Sequence, residues 1–435
     1  MSEIPSLLSK FSFQDINPIQ QKMLEVVPKS KNVLLLAPTG SGKTLAFLLP
    51  LLPLLTTKTT PTPLLILSPT RELALQIVEV VKKLVTDKKV TCCYGGHAID
   101  IELNTLKEPP AVLVGTPGRI CHHLRSKALD LSATTAVVVD EFDKCLELGF
   151  TSDLEFIFSY LPALQYRILT SATQGDVPDF IGMKQPETLN FLAEKENIKL
   201  TQKVVRAKEN DKLDALIGLV CTLGNQPVLV FCNHRDATER ISELLLSHHI
   251  AHVIFHGKLE QKDREKALIK FRNGTSSLLI TTDLASRGLD IPEVHGVIHY
   301  QLPPDESSFT HRNGRTARMH AFGVSYVLLR EEEELPEYLG KELEEEKLPE
   351  EIPLTFDTDW ETVYFSCGKK NKVNKIDIAG LLMKKGGLQK EEVGRIDVLD
   401  FTSYVAVKRT KARKVVEALK NEKIKGVKPK IQIAW

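Results

Sequence analysis

The sequence contains no Cys-x-x-C pair. Its seven cysteines, Cys92, Cys93, Cys121, Cys145, Cys221, Cys232 and Cys367, are scattered and odd in number. That excludes a disulfide framework or a cysteine zinc site and reads as a reduced, cytosolic pattern. No charged-then-apolar leader opens the chain. The longest apolar run, Leu45–Leu55, carries Pro50 and Pro53 and is too short to span a bilayer. The expectation is a soluble cytoplasmic protein with no membrane partner. No heptad repeat or large unexplained apolar face is visible, so a monomer is expected. Net charge is nearly absent as well, at +1 over 435 residues, and argues for no particular partner. Its distribution does. Trp360–Trp435 holds 18 Lys and Arg against 8 Asp and Glu, a net +10. A basic terminal segment on a neutral whole suggests a polyanion-binding appendage.

The most informative stretch present is Ala37-Pro38-Thr39-Gly40-Ser41-Gly42-Lys43-Thr44. It lies between the apolar runs Val33–Leu36 and Leu45–Leu49, which reads as strand, tight loop, helix. Glycines let the backbone fold over a phosphate with its N–H groups inward, and the helix N-terminus adds positive partial charge. Thr39, Gly40, Ser41 and Gly42 form the cradle, Lys43 reaches the β/γ-phosphates and Thr44 offers a hydroxyl to Mg²⁺. The competing reading is an ordinary strand-to-helix turn with a lysine. The combination Gly-Ser-Gly-Lys-Thr directly after a buried-type strand argues against it, although Ala37 replaces the usual opening glycine.

Short apolar runs alternate with helical patterns along the chain. Val33–Leu36, Leu64–Leu67, Ala111–Val114, Ala136–Val139 and Arg167–Leu169 read as buried strands of a parallel sheet covered on both faces. Arg71–Val85 and Pro117–Ser126 are helical candidates between them. A second set follows: Val228–Cys232, His252–His256, Leu278–Thr282, Val294–His299 and Val324–Leu329, with helices at Ala237–Leu246 and Gln261–Phe271. This set has no phosphate loop of its own, which suggests one nucleotide shared between two similar lobes. Asn197–Lys208, charged and poor in apolar residues, reads as the hinge. Glu331–Glu351, with 11 glutamates, reads as a solvated helix or tether without chemistry. The remainder reads β-α-β-β-α-β, the order used by RNA-recognition domains. The expected fold class is α/β: two tandem doubly wound parallel-sheet domains, 1–196 and 209–345, a linker at 346–359, and an RRM-like α+β domain over 360–435.

Val137-Val138-Val139-Asp140-Glu141 is an apolar strand ending in paired carboxylates. Asp140 can hold Mg²⁺ and Glu141 can orient or deprotonate the attacking water, which is what phosphoryl transfer asks of a protein. Paired acids also occur as solvated strand ends; Lys43 and Thr44 upstream favour the chemical reading. In the second lobe, Arg315 and Arg318 stand three apart and share a helix face. They suit an arginine finger, with a surface salt-bridge pair as the alternative. His248, His249 and His252 lack a carboxylate or cysteine to complete a metal site and read as a solvated helix end.

Over roughly residues 10–335 the chain resembles a DEAD-box RNA helicase. The stretches that carry the resemblance stand in family order. They are Pro18-Ile19-Gln20, the phosphate loop, Pro69–Ala74, Gly95-Gly96, Thr116-Pro117-Gly118-Arg119, Asp140-Glu141-Phe142-Asp143 and Ser171-Ala172-Thr173. In the second lobe they are Val230–Asn233, Gln261 with Arg264, Thr282-Asp283 through Asp290, and His311-Arg312 through Arg318. The resemblance implies that the two doubly wound domains are RecA-like, with ATP and Mg²⁺ as cofactors and RNA as partner. It implies that Gln20 reads the adenine edge, Phe13 packs on the base and Asp290 binds the ribose. Arg315 and Arg318 resemble the finger pair. Asp143, Ser171, Thr173 and His311 resemble the coupling between the ATP site and the RNA grip. The RNA-facing set it implies is Arg71, Gly96, Thr116, Arg119, Asn233, Arg264, Thr282 and Arg287, suited to a sugar-phosphate track. Phe142 stands where the family has alanine and needs local room; Ala317 stands where it usually has glycine.

Residues 360–435 resemble the RNA-binding domain that ends the DbpA group of bacterial DEAD-box proteins. The match includes Gly368–Val373, Ile378–Gly380, Val393–Ile396, Ser403–Val407 and Ile424–Gly426. Strand alternation places Tyr404 on the open sheet face as its single stacking aromatic. The basic edges, Lys369, Lys370, Lys372, Lys408 and Arg409 among them, are expected to carry more of the binding. The implied target is a structured hairpin of large-subunit ribosomal RNA. The combined expectation is an ATP-dependent RNA helicase that separates short duplexes. An ATP-gated RNA clamp is the alternative.

Overall fold

The computed structural model describes residues 15–38, 40–55, 60–96, 99–192, 200–207, 211–285, 291, 294–316, 323–339, 343–348 and 358–434. These form two compact units, one from the described residues before 193 and one from those at 200 and beyond.

In the first unit the strands are β1 (Asn32–Leu36), β2 (Leu64–Leu67), β3 (Val90–Cys93), β4 (Val112–Gly115), β5 (Ala136–Val139), β6 (Tyr166–Ser171) and β7 (Glu187–Asn190). They make one parallel sheet in the order β3-β4-β2-β5-β6-β1-β7. Every residue of β2, β4 and β5 is buried. Successive side chains point to opposite faces, so each strand feeds two cores. Leu64, Ile66, Ala136 and Val138 enter one cluster with Phe47. Leu65, Leu67, Val137 and Val139 enter the other with Phe142. The edge strands β3 and β7 escape the sequence pattern because edges lack the continuous apolar run of a central strand.

The second unit opens with β8 (Leu200–Ala207), followed by β9 (Val228–Phe231), β10 (Val253–Phe255), β11 (Leu278–Thr281), β12 (Gly296–His299), β13 (Gly323–Arg330) and β14 (Glu344–Glu345). The sheet is again parallel, in the order β10-β11-β9-β12-β13-β8-β14. Two expectations are corrected here. Most of the stretch read as a hinge is β8, paired with β13 from Leu200 to Ala207. The glutamate-rich stretch read as a tether supplies the edge strand β14. The reason is charge pairing across the sheet edge: Lys203 Nζ lies 3.1 Å from Glu344 Oε1 and 2.6 Å from Glu346 Oε2. Charge that reads as solvated in sequence is neutralised by a strand far away along the chain.

A third sheet closes the same unit. Strands β15 (Trp360–Phe365), β16 (Val393–Val398), β17 (Ser403–Lys408) and β18 (Ile431–Ile433) pair antiparallel in the order β16-β17-β15-β18. Its helices, Lys375–Lys384 and Arg409–Leu419, share an apolar core with Val363, Phe365, Val405 and Val407. The opposite sheet face meets the helix Gln261–Arg272 of the second parallel-sheet domain. Ile269 clusters there with Tyr404, Ala434, Tyr364 and Leu399. Polar contacts rim the apolar patch. Asn273 Nδ2 donates to Thr362 Oγ1 at 3.1 Å, and the Thr275 and Thr362 hydroxyls lie 2.7 Å apart. Arg409 Nη2 donates to the carbonyl oxygens of Thr275, at 3.1 Å, and Trp360, at 3.0 Å.

Ile269→Ala is expected to lower the stability of this unit by about 2–4 kcal/mol in urea unfolding and to speed amide exchange in β17. Unchanged exchange in β17 would show that the helix does not protect that face.

Candidate ATP site and RNA-facing edge

Parallel strands all end on one edge, and in such sheets ligands bind at that carboxyl edge. The strand order then decides which loops become neighbours. In the first sheet β5, β6 and β1 are adjacent, and their ends carry Asp140–Asp143, Ser171–Thr173 and the phosphate loop.

The loop follows β1 directly and enters the helix Lys43–Leu51. Gly42 holds φ +85°, and a Cβ there would lie 2.8 Å from Gln20 Nε2 and 2.9 Å from Asn17 Nδ2. Glycine is therefore required by both conformation and space. Gly40 is likewise left-handed, at φ +82°. Lys43 is buried, and its Nζ donates to Ala37 O at 2.9 Å. Ser41 Oγ donates to Pro38 O, and Thr44 lies in the first helical turn. Asn17 and Gln20 form a reciprocal capping box at the start of the helix Pro18–Ser30. Asn17 Nδ2 also donates to Ser41 O at 2.9 Å, which fastens this helix to the loop.

Asp140 ends β5 at 3% exposure. Its Oδ1 accepts from Thr170 Oγ1 at 2.5 Å, and the same Thr170 oxygen accepts from the Glu141 N–H at 3.1 Å. Burial pushes the Asp140 carboxyl above its usual range, against the pull of the Lys43 charge and the Thr170 hydroxyl. Glu141 holds φ +50° at the entry to the helix Phe142–Glu147. A non-glycine residue in that region is strained, and such strain persists where surrounding structure imposes it. Phe142 is accommodated at 4% exposure in the apolar cluster that also contains Cys93, Cys121 and Cys145. Beside these residues, Thr173 Oγ1 donates to Asp143 Oδ2 at 2.9 Å, and the Thr173 N–H donates to Ser171 Oγ at 3.0 Å. The structure thus brings together Lys43, Thr44, Asp140, Glu141, Asp143, Ser171 and Thr173.

The other half of the edge, β3-β4-β2, gathers Arg71, Gly96, Thr116 and Arg119. Gly96 holds φ +98°, a conformation that favours glycine, with the Arg71 guanidinium beside it. Thr116 precedes the helix Pro117–Arg125. Arg119 Nε donates to Glu102 Oε2 at 2.7 Å, and His123 Nε2 lies 2.6 Å from the same oxygen. Burial works against the charge on Glu102, but the hydrogen bonds from His123 and Arg119 hold its carboxyl below the usual range. Neither Glu102 nor His123 stands out in the sequence, because a lone acid and a lone histidine on helices carry no pattern.

In the second unit the organising residue is Arg312, fully buried. It donates to both oxygens of Asp283, at 2.6 and 3.0 Å, to Gln301 O at 2.7 Å and to Asn233 Oδ1 at 2.8 Å. It therefore ties the ends of β11, β12 and β9, where Thr282 and Asn233 sit. His311 and Arg315 flank it and are buried. His299 lies under the helix Glu306–Asn313, stacked on Phe309, with Nε2 3.1 Å from Asn313 Oδ1. Burial and the Arg312 charge push its imidazole down to about 3, so it stays neutral. Arg264 is buried with its guanidinium 5.2 Å from the Phe255 ring centroid.

The C-terminal sheet departs from expectation. Tyr404 is only 7% exposed, covered by the helix that bears Ile269, and burial pushes its phenol up to about 12. Alternation does place it on the face away from the domain's own core, but another domain occupies that face. Arg409 is committed to Glu361, Thr275 and Trp360. Lys408 pairs with Asp359 at 2.7 Å. Lys369, Lys370 and Lys372 are exposed. Phe13, Thr39, Arg287, Asp290 and Arg318 lie outside the described residues.

Three family models match the chain in order: DEAD/DEAH box helicase over residues 17–180, helicase conserved C-terminal domain over 211–320, and DbpA RNA binding domain over 362–433. The chain is 30% identical to the ATP-dependent RNA helicase DbpA of Escherichia coli, over 96% of this chain and 94% of that protein. It is 28% identical to that of Bacillus subtilis, over 99% and 97%. Among solved structures it is similar to S. cerevisiae Dbp5 bound to RNA and ADP BeF3, with 27% identity and TM-score 0.66, over 76% of this chain and 88% of that one. The ordered motifs, the two parallel sheets and these matches together place the chain in the DEAD-box family, as an ATP-dependent RNA helicase carrying a DbpA RNA-binding domain.

Proposed function

We propose that this helicase uses ATP with Mg²⁺ to separate short RNA duplexes locally, held near its target by the C-terminal domain. The observation that carries the proposal is the adjacency of β1, β6 and β5. It sets the phosphate loop, the Ser171–Thr173 turn and the Asp140–Asp143 carboxylates side by side, with Thr173 hydrogen-bonded to Asp143.

The donor set suits a hard divalent cation. Thr44 offers a hydroxyl and Asp140 a buried carboxylate whose charge burial disfavours until a cation compensates it. Thr44 and Asp140 would hold Mg²⁺, which would supply charge neutralisation for the phosphates. The chain's own residues do the rest. The loop N–H groups and Lys43 bind the phosphates, and Glu141, held in its strained conformation, aims a carboxylate at the water. Gln20 and Phe13 select the adenine, and Asp290 takes the ribose. Arg315 and Arg318 answer the charge that develops on the γ-phosphate. On the RNA side, Arg71, Gly96, Thr116 and Arg119 read backbone rather than bases, as do Asn233, Arg264, Thr282 and Arg287. Asp143, Ser171, Thr173 and His311 couple the two. Glu102 and His123 act through Arg119, as positioning residues.

The target we propose is a hairpin of large-subunit ribosomal RNA, in a monomeric cytoplasmic protein that serves ribosome assembly. A chain with one carboxyl-edge RNA track and a basic terminal domain suits a structured RNA with an adjoining duplex, because tethering raises local concentration at that duplex.

Lys43→Ala and Glu141→Gln are each expected to abolish RNA-stimulated ATP hydrolysis and displacement of a short duplex placed beside the hairpin, while RNA binding persists. Parent-level turnover in either variant would overturn the site assignment. Turnover without displacement in the parent would favour the clamp. Glu102→Gln is expected to raise the half-activating RNA concentration several-fold while leaving KM for ATP unchanged. A shift in KM for ATP alone would remove Glu102 from the RNA side. Restoring the carboxylate with Glu102→Asp should recover part of the loss.

A further inference from the structure

The C-terminal sheet cannot offer Tyr404 to a base while Ile269 covers it, so the domain needs another stacking platform if it grips unpaired RNA. The basic residues of the domain are not equivalent. Lys408, Arg409, Lys411 and Lys425 form ion pairs with Asp359, Glu361, Glu392 and Asp377. Lys369, Lys370 and Lys372 are exposed, and what sets them apart from other exposed lysines of the domain, such as Lys384 and Lys385, is their clustering. They occupy one short turn, Lys369–Asn371 with its cap at Lys372. That turn is crossed tightly by the loop between β16 and β17. The Lys369 N–H donates to Leu399 O and the Lys370 N–H to Asp400 O, both at 2.9 Å. A Cβ on Gly368 would lie 2.2 Å from Leu399 O, so no side chain fits at the crossing. The next residue after Asp400 is Phe401, 63% exposed.

An aromatic ring so exposed costs solvation and contributes nothing to the domain's own core. Its loop, which also carries Asp400, is hydrogen-bonded through the backbone to the turn that bears the three exposed lysines. A flat apolar ring next to clustered cations complements a nucleotide, which presents an apolar base face beside a phosphate. Resting on the reading that this domain binds RNA, we propose that Phe401 stacks an unpaired nucleotide while Lys369, Lys370 and Lys372 hold the flanking phosphates. The open sheet face is thereby left to dock the domain on its neighbour.

The test uses the full chain without nucleotide. Fluorescence anisotropy would follow binding to the tightest-binding stem-loop from large-subunit ribosomal RNA and to the same stem closed as a duplex. Phe401→Ala is expected to weaken the stem-loop about ten-fold and leave the duplex unchanged, with Phe401→Tyr close to the parent. Lys369→Ala and Lys370→Ala should weaken both RNAs and each flatten the salt dependence by about one unit of slope. Equal losses on both RNAs for Phe401→Ala would overturn the stacking role. Parent-level binding by Phe401→Ala with weakened lysine variants would also overturn it, yet leave the domain an RNA binder. Parent-level binding by all three variants would overturn the RNA reading of this domain as well.

Discussion

A parallel sheet must return every connection to the same end, so all of its strands finish on one edge. That constraint does more for this protein than any single contact. In the first sheet the order β3-β4-β2-β5-β6-β1-β7 divides the edge into two halves. Phosphate-loop and carboxylate chemistry gathers at β5-β6-β1, and glycine, threonine and arginine gather at β3-β4-β2. The Ser171–Thr173 turn is fastened to Asp143 through Thr173, so the ends of β6 and β5 are tied together.

Charge removed from water is the second theme, and its instances differ in how fully a partner compensates it. Arg312 has Asp283 and two carbonyl or amide oxygens. Arg119 has Glu102, which also meets His123. Asp140 has the Lys43 charge and the Thr170 hydroxyl, which do not offset its burial. Removing a charge from water costs several kcal/mol per ion unless a partner offsets it. The first two are satisfied within the protein and act as struts. In the third, burial outweighs the Lys43 charge and the Thr170 hydroxyl, and the carboxyl is pushed above its usual range.

The C-terminal domain shows a sheet used for docking. An RNA-recognition arrangement conventionally keeps its sheet face for bases. Here Ile269, Tyr404, Tyr364 and Ala434 close that face, and hydroxyls of Thr275 and Thr362 seal its rim. The consequence is a division of labour. Arg409 ties the domain to its neighbour through Thr275, and Lys369, Lys370 and Lys372 stay exposed.

Much of this was legible in the residues alone. Continuous apolar runs announced the central strands. Gly-Ser-Gly-Lys-Thr and Asp-Glu stood out at the ends of β1 and β5, because phosphate and carboxylate chemistry needs fixed residue types at fixed local spacing. What only the tertiary structure decided were contacts between residues far apart in sequence. Strand order made neighbours of Thr170 and Asp140, and of Arg312 and Asn233. Lys203 turned the glutamate-rich stretch into an edge strand. A helix more than a hundred residues upstream covered Tyr404. Local sequence determines what a segment can do; which face stays open depends on what packs against it, and no periodicity within the segment carries that information.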